Sequence, residues 1–335
     1  MMQEEPSRQD LLLEIERLRE EVNVLRQEQK DLNALMSVLV DHSDGLEEFH
    51  VQDLLKLTSA YERFVPREFL NFLNKESIAD VALGDQVKQE MSVLFADIVD
   101  FTSLSEKMSP PENFRFINSY LRYMEPCVSK NQGFIDKYIG DAIMALFNGC
   151  ADDAVRSGIM MLKEVEAFNR QDNQTNHPPI RIGIGINTGV LMLGTIGGEH
   201  RMDSTVISDA VNLAARLEKL TRDYSVPLLI SHHTFAKLDC PEEYAIRKVD
   251  QVKVKGKSEL VTVYEVFDAD PPALRDAKLA TVEMFDEALS LYEARKFRDA
   301  TELFFSCMNQ NPGDTVVRNY LEKCYQSRLQ VLQEL

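Results

Sequence analysis

Two aspartates, Asp97 and Asp141, stand where an apolar run meets a tight turn, and that placement gives them chemical interest. The first closes Met91–Asp97 (Met-Ser-Val-Leu-Phe-Ala-Asp), which reads as a buried strand. The second follows Ile139-Gly140, a tight hairpin between the strand-like runs Phe134–Tyr138 and Ala142–Phe147. A carboxylate at the end of a buried strand is costly unless a cation or hydrogen-bond donors meet it. Two of them on one side of adjacent strands make the hard oxygen set that a two-metal site requires. The turn Ile98–Thr102 adds backbone N–H groups, those of Ile98, Phe101 and Thr102 among them, of the kind that suit phosphate. A plainer reading fits the same turn, with Asp100 and Thr102 capping a helix that Ser103 begins.

Composition narrows what such a site could serve. A length of 335 residues allows one or two domains with full cores, and 44% hydrophobic with 27% charged residues is the balance of a soluble globular protein. The net charge of −18, with no Lys/Arg cluster, argues against a nucleic-acid binder. No apolar run is long enough to span a bilayer, and the acidic N-terminus is no signal peptide. Cys127, Cys150, Cys240, Cys307 and Cys324 are odd in number and widely spaced, so they read as reduced packing residues of a cytoplasmic protein.

The elements that must position the aspartates can be taken in order. Leu11, Ile15, Leu18, Val22, Leu25, Gln29, Leu32, Met36 and Leu39 alternate steps of four and three, a heptad seam with Leu at every d position. Ile and Val at a favour two parallel strands, and Gln29 at one a position would fix their register. Residues 1–48 therefore read as an N-terminal parallel coiled coil. They carry 13 acidic and 5 basic residues, a net of −8, and hold much of the chain's charge. Turn-forming Asp41–Gly45 breaks the seam, and residues 49–88 read as a helical connector, suited either to transmit a signal or to serve as a plain linker. Between residues 89 and 268, helices over Pro111–Gln132, Ala151–Asn169 and Asp209–Thr221 alternate with strands. One pair of strands, Pro178–Asn187 and Val190–Ile196, turns at Thr188-Gly189, and further strands cover Val226–Ser231 and the run from Tyr244 to Phe267. Hairpins among alternating elements predict an α+β domain, a mixed sheet with helices largely on one face. Beyond a Pro-Pro linker, Ala288, Phe297, Ala300, Phe304 and Pro312 fall at spacings similar to one tetratricopeptide repeat. Cys307 stands where a small Ala is usual. A single repeat cannot bury its own face, so the tail 269–335 must pack on the preceding domain, on a dimer mate or on a partner.

Four motifs now combine: Phe95-Ala-Asp-Ile-Val-Asp-Phe-Thr102, Lys137-Tyr-Ile-Gly-Asp141, Arg181-Ile-Gly-Ile-Gly-Ile-Asn-Thr-Gly189 and Val211-Asn-Leu-Ala-Ala-Arg216. In this order, across roughly Gln89–Phe267, they resemble the catalytic domain of class III nucleotidyl cyclases. The resemblance implies a ferredoxin-like mixed sheet and an adenylate cyclase that makes 3′,5′-cyclic AMP and pyrophosphate from ATP. It implies two Mg²⁺ or Mn²⁺ ions at each active site, held by Asp97 and Asp141. It makes Arg216 the stabiliser of transition-state charge and Asn212, at i−4 on the same helix face, the residue that orients the ribose. Arg181 and Lys255 match positions that bind the terminal phosphates.

Base choice falls by the same resemblance to Lys137 and Thr205. Adenine N1 is an acceptor that a lysine can meet, whereas guanine presents donors that suit a carboxylate. Where the family often has Asp, this chain has Thr205, as in a bacterial subgroup whose members often respond to bicarbonate. The family also places metal carboxylates and base-reading residues on different subunits, so the resemblance implies a homodimer with two shared sites. A sensor domain or partner upstream of the coil would supply the signal. The alternatives are a guanylate cyclase and a catalytically silent domain used for dimerisation.

Overall fold

A computed structural model of the chain describes residues 8–61, 65–172, 178–198, 201–253 and 260–333. It divides into two units, Met1–Val65 and Pro66–Leu335. The first is a single helix, α1 (Arg8–Tyr61). The break expected at Asp41–Gly45 is absent, and the helix runs through it. Asp, His and Ser disfavour a helix by only a few tenths of a kcal/mol each and one glycine by about 1 kcal/mol. Long helical runs on both sides outweigh that, because each added residue extends an existing helix. Of the seam, Val22, Leu25, Leu32 and Met36 lie exposed on α1.

The second unit is built on β1 (Gln86–Ile98), β2 (Gly133–Ile139), β3 (Ala142–Phe147), β4 (Ile182–Gly198), β5 (Arg201–Ile207), β6 (Leu228–Ser231), β7 (Ile246–Lys253) and β8 (Leu260–Val266). They form one sheet in the order β2-β3-β1-β4-β6-β8-β7, with β5 paired to the far half of β4. Only the β4–β6 pair is parallel among the strand pairs described. Between β1 and β2 come α3 (Phe101–Ser105) and α4 (Pro110–Ser129), and between β3 and β4 comes α5 (Ala151–Asp172). Strands β1 to β4 with α4 and α5 thus follow the β-α-β-β-α-β order of a ferredoxin-like sheet. Glu112 explains where α4 starts: its carboxylate accepts the Ser109 amide at 2.8 Å, a capping box ahead of Pro110. A short helix, α2 (Arg67–Phe72), precedes β1, and another, α7 (His232–Phe235), follows β6. No helix among the described residues is long and apolar enough to cross a membrane.

Strand β4 departs from expectation, because it does not turn at Thr188-Gly189. It pairs with β1 from Ile98↔Ile182 to Gln86↔Gly194, and a turn would forfeit half of that ladder. Gly189 serves close packing instead, since a Cβ there would stand 3.0 Å from that of Ala210. Side chains alternate along β4. Ile182, Ile184 and Ile186 join Leu94, Ala96, Ile98 and the buried residues of α4 and α5 in one core. Gly183 and Gly185 face the other way, onto α6 (Asp209–Tyr224). Helices therefore cover both faces of the sheet, not largely one. The glycine face invites the second layer, because a helix backbone can approach where no Cβ intervenes.

The tail supplies the rest of that second layer: α8 (Pro272–Glu293), α9 (Phe297–Gln310) and α10 (Thr315–Gln333). Phe285, Phe304, Cys307 and Tyr320 share a core with Leu213 and Leu217 of α6 and with Val249, Val261 and Val263 of the sheet. Of the three packing surfaces open to the tail, it uses the preceding domain. Fully buried Arg247 of β7 donates to Glu265 of β8 at 2.6 Å and to both oxygens of Asp314 at 2.5 and 2.8 Å. Lys278 of α8 donates to Glu265 and to Asp270, each at 2.6 Å. Mutual pairing is what makes so much buried charge tolerable. Tail side chains also reach the end of α6, Thr315 to the Ser225 carbonyl at 3.1 Å and Asn319 to that of Asp223 at 3.0 Å.

A Cβ at Gly185 would collide with the Glu218 amide and lie 2.5 Å from the Ala214 carbonyl, both of them backbone. Gly185→Ala is therefore expected to push α6 off the sheet and destabilise the fold by about 1–3 kcal/mol. Urea unfolding measures this, and an unchanged midpoint would contradict the close approach.

Candidate active site

Asp97 sits one residue before the end of β1, opposite Gly183 of β4. Asp141 follows Gly140, whose φ of +66° makes the turn into β3. The β1–β3 register, with Ala96 opposite Ile143, carries Asp141 alongside, and its Oδ2 accepts the Ile98 amide at 3.2 Å. The Asp97 carboxyl is near enough to act on that of Asp141. Burial first, then the hydrogen bond and the charge of Asp97, push the Asp141 carboxyl up to about 7. Beneath them the buried Tyr120 hydroxyl finds no hydrogen-bond partner among the described residues. Burial raises its pKa, and Asp141 and Asp97 add to that. Facing hard-oxygen donors that repel one another are a fit for a divalent cation, which removes the repulsion on binding.

Sequence reasoning missed two further members of this cluster. Arg222 donates to Asp97 Oδ2 at 2.7 Å and stands 3.2 Å from Glu218 Oε1. Burial pushes the Glu218 carboxyl up to about 7, with Arg222 opposing and Asp97 reinforcing the shift. A Glu and an Arg four apart on a helix were the visible signal. Nothing local in the chain joins residue 222 to residue 97; only the glycine face of β4 brings α6 there.

The turn after Asp97 differs in detail from the capping expectation. Helix α3 begins at Phe101, and Asp100 sits at its N-cap with φ +59° and no capping bond from its side chain. The left-handed backbone turns that carboxylate away from the amides it would have capped. The Ile98 amide is given to Asp141 and the Val99 amide to the Arg181 carbonyl at 2.9 Å. Phe101 stacks on Phe116 with ring centroids 6.2 Å apart, and Thr102 is exposed. Val99, Asp100, Arg181 and Arg222 line one side of a cavity of about 510 Å³ behind the turn. Lys255 lies outside the described residues.

Lys137 of β2 reaches the strand that carries Thr205. The Lys137 ammonium donates to the Ser204 carbonyl at 3.1 Å, and Thr205 follows on β5, opposite Gly194. Asn212 and Arg216 lie on the early turns of α6, which Ser208 caps by accepting the Ala210 amide at 3.0 Å. Arg222 meets Asp97 ten residues after Asn212 and six after Arg216. At 1.5 Å per residue these are about 15 and 9 Å along the axis. One chain's α6 thus brings Arg222, not Asn212, to that chain's own carboxylates. A separate group of possible ligands, Cys150, Asp152 and Asp239, stands at the start of α5. Asp152 there already accepts from the Asp239 amide and the Tyr244 hydroxyl, each at 2.9 Å.

The ferredoxin-like order, the paired carboxylates at the ends of β1 and its neighbour, and a helix bearing Asn and Arg four apart define the class as a nucleotidyl cyclase catalytic domain. Residues 83–266, more than half of the chain, match the adenylate and guanylate cyclase catalytic domain family, and the chain belongs to it. It is similar to an adenylate cyclase of Anabaena cylindrica, 42% identical over 242 residues, which are 70% of this chain and 48% of the relative. It is also similar to the terminal-differentiation specific adenylate cyclase of Dictyostelium discoideum, 36% identical over 83% of this chain and 13% of the relative. The chain thus spans less than half the length of these curated relatives. Among solved structures, a bacterial light-regulated adenylyl cyclase matches 66% of this chain and 64% of its own, with a TM-score of 0.58 and 26% identity. Cyclases of this class work with divalent metal ions, and the facing Asp97 and Asp141 carboxylates fit one.

The raised pKa of Asp141 has a sign that can be tested. Unfolded, this carboxyl ionises near 3.8, whereas in the metal-free fold it holds its proton to about 7. Between those values the folded state binds more protons, so its stability falls as pH rises. Asp141→Asn is therefore expected to raise the melting temperature of metal-free protein at pH 8 and to change it little at pH 4. An equal change at both pH values would show that the pair is not repelling.

Proposed function

We propose that the chain is a cytoplasmic adenylate cyclase, converting ATP to 3′,5′-cyclic AMP and pyrophosphate at two sites shared across a homodimer. The layout of α6 carries this reading: Asn212 lies about 15 Å along the axis from the residue that meets its own chain's metal-ligand carboxylates. In a two-fold dimer, Asn212, Arg216, Lys137 and Thr205 of one chain would face Asp97 and Asp141 of the other. The exposed Val22, Leu25, Leu32 and Met36 of α1 support a parallel coil that would align the two chains. The chain then has four parts: coil 1–48, connector 49–88, catalytic domain 89–268, and a tetratricopeptide-like helical tail 269–335. A sensor or partner acting through the coil would supply the signal.

Asp97 and Asp141 would hold two Mg²⁺ or Mn²⁺ ions, which when bound supply activation of the ribose 3′-hydroxyl and neutralisation of phosphate charge. The chain's own residues do the rest. Asn212 orients the ribose, and Arg216 stabilises the charge gathering on the phosphoryl oxygens as pyrophosphate leaves. Arg181, at the cavity behind the turn, and Lys255 hold the terminal phosphates, with Ile98, Phe101 and Thr102 of the turn beside them. Lys137 donates to adenine N1, and the Thr205 hydroxyl accepts from the adenine amino group. The Anabaena relative, named an adenylate cyclase, supports ATP as the substrate.

The direct test incubates purified protein with ATP or GTP and Mn²⁺ or Mg²⁺ and separates the products by chromatography. Cyclic AMP is expected, and cyclic GMP alone would reassign the substrate. Lys137→Glu should cut ATP use sharply, because a carboxylate would then face adenine's acceptor N1. An unchanged ATP rate would show that Lys137 does not read the base.

Sharing of the site has its own test. Asp97→Ala and Arg216→Ala each damage both sites of a homodimer, so each alone should be nearly inactive. Co-expressed at equal levels, about half of the dimers are mixed, with one intact site of two, and activity should return to roughly a quarter of wild type. No recovery in mixed dimers verified by two affinity tags would refute the shared site.

A further inference from the structure

Strand β2 breaks its pleat at one place. Its register against β3 slips between Ile135 and Lys137, leaving Asp136 as the additional residue of a bulge. In a regular strand, neighbours point to opposite faces. A bulge relaxes that alternation and re-aims a side chain. Here it lets Asp136 meet its own neighbour, with Oδ2 3.4 Å from the Lys137 ammonium. The Asp136 side chain is 2% exposed and that of Lys137 36%, so the acid lies under the base. Asp136 Oδ2 makes no hydrogen bond to the described residues. Burial raises the pKa of this carboxyl, and the Lys137 charge opposes the rise. Among the described residues no other carboxylate lies within 4.0 Å of that ammonium.

The ammonium has three protons to place. One goes to the Ser204 carbonyl at 3.1 Å, and the flank toward Asp136 is held by charge. A single N–H direction then remains for a ligand. We infer that Asp136 is a positioning residue for base recognition: with the Ser204 carbonyl it fixes the Lys137 ammonium so that one proton points at an acceptor nitrogen of the purine ring. This rests on the reading of Lys137 as the base contact. Uncharged Thr205 cannot provide such an anchor, so in this chain the acid that steers the lysine lies beside it in the same strand. An unanchored lysine would sample several rotamers and meet N1 only part of the time. Binding would then weaken, whereas groups acting on the reacting phosphate would be untouched.

The test is a double-mutant cycle in the full chain with Asp136→Asn, Lys137→Ala and both together. Steady-state kinetics with ATP and with GTP are measured alongside melting temperature. Asp136→Asn keeps shape and removes charge. It is expected to raise KM for ATP about tenfold with kcat within about twofold, and to lower the ATP-over-GTP ratio of kcat/KM about tenfold, the scale of one charge-assisted contact. In the Lys137→Ala background the same change should leave that ratio unaltered, because the group being steered is gone. If Asn is not tolerated at the bulge, Asp136→Ser gives the same readout. A costly Lys137→Ala beside a silent Asp136→Asn overturns this inference and leaves the base contact standing. A silent Lys137→Ala overturns the base contact, and the positioning role with it. Equal loss of kcat with both nucleotides, together with a lower melting temperature, would make Asp136 merely structural and also overturn the inference.

Discussion

The alternation of isoleucine and glycine along β4 is the constraint on which this domain depends. Ile182, Ile184 and Ile186 fill the core under α4 and α5, while the absent side chains of Gly183 and Gly185 let the α6 backbone lie directly on the sheet. A helix seated on backbone has little freedom to slide. Its axial position fixes where every side chain it carries must fall, Asn212 near one end, Arg216 and Glu218 at the middle and Arg222 near the other end. A site that draws several side chains from one helix needs this kind of rigid seat.

The cluster around Asp97 and Asp141 runs against the stability of the fold. Two carboxyl groups act on each other, a third at Glu218 is buried nearby, and Arg222 is the cation that reaches Asp97. Such frustration is the usual mark of a site whose missing charge arrives with a ligand. The fold holds it because β1 lies between β3 and β4, paired with β4 from Gln86 to Ile98 and with β3 from Ser92 to Ala96.

What could be read from the chain and what could not divide along physical lines. Asp97 and Asp141 were legible because each ends a short apolar run at a turn, a local pattern. The helix of α1 was legible for the same reason. Gly189 misled because a glycine inside a strand and a glycine at a turn look alike until the partner strand is known. Asp41–Gly45 misled because weak helix formers do not stop a helix already propagating on both sides. Arg222, 125 residues from Asp97, and the bulge at Asp136 depend on tertiary placement and register, which no local spacing encodes. Helical cover on the second face was implicit in the Ile-Gly alternation, but only once the strand was known to be continuous.

The buried ion cluster where the tail meets the sheet bears on how such a chain can change over generations. Modular signalling proteins diversify by exchanging segments at linkers, and Asp268-Ala-Asp-Pro-Pro has the composition of a suitable junction. Cutting there would separate Arg247 and Glu265 from Asp314 and Lys278, breaking their ion pairs and baring the apolar surface that the tail covers. The N-terminal helix, by contrast, forms a compact unit of its own. Exchange of flanking segments is therefore open at one end of the catalytic domain and closed at the other. The helical segment beyond Phe267 is inherited with that domain and can drift only in step with it.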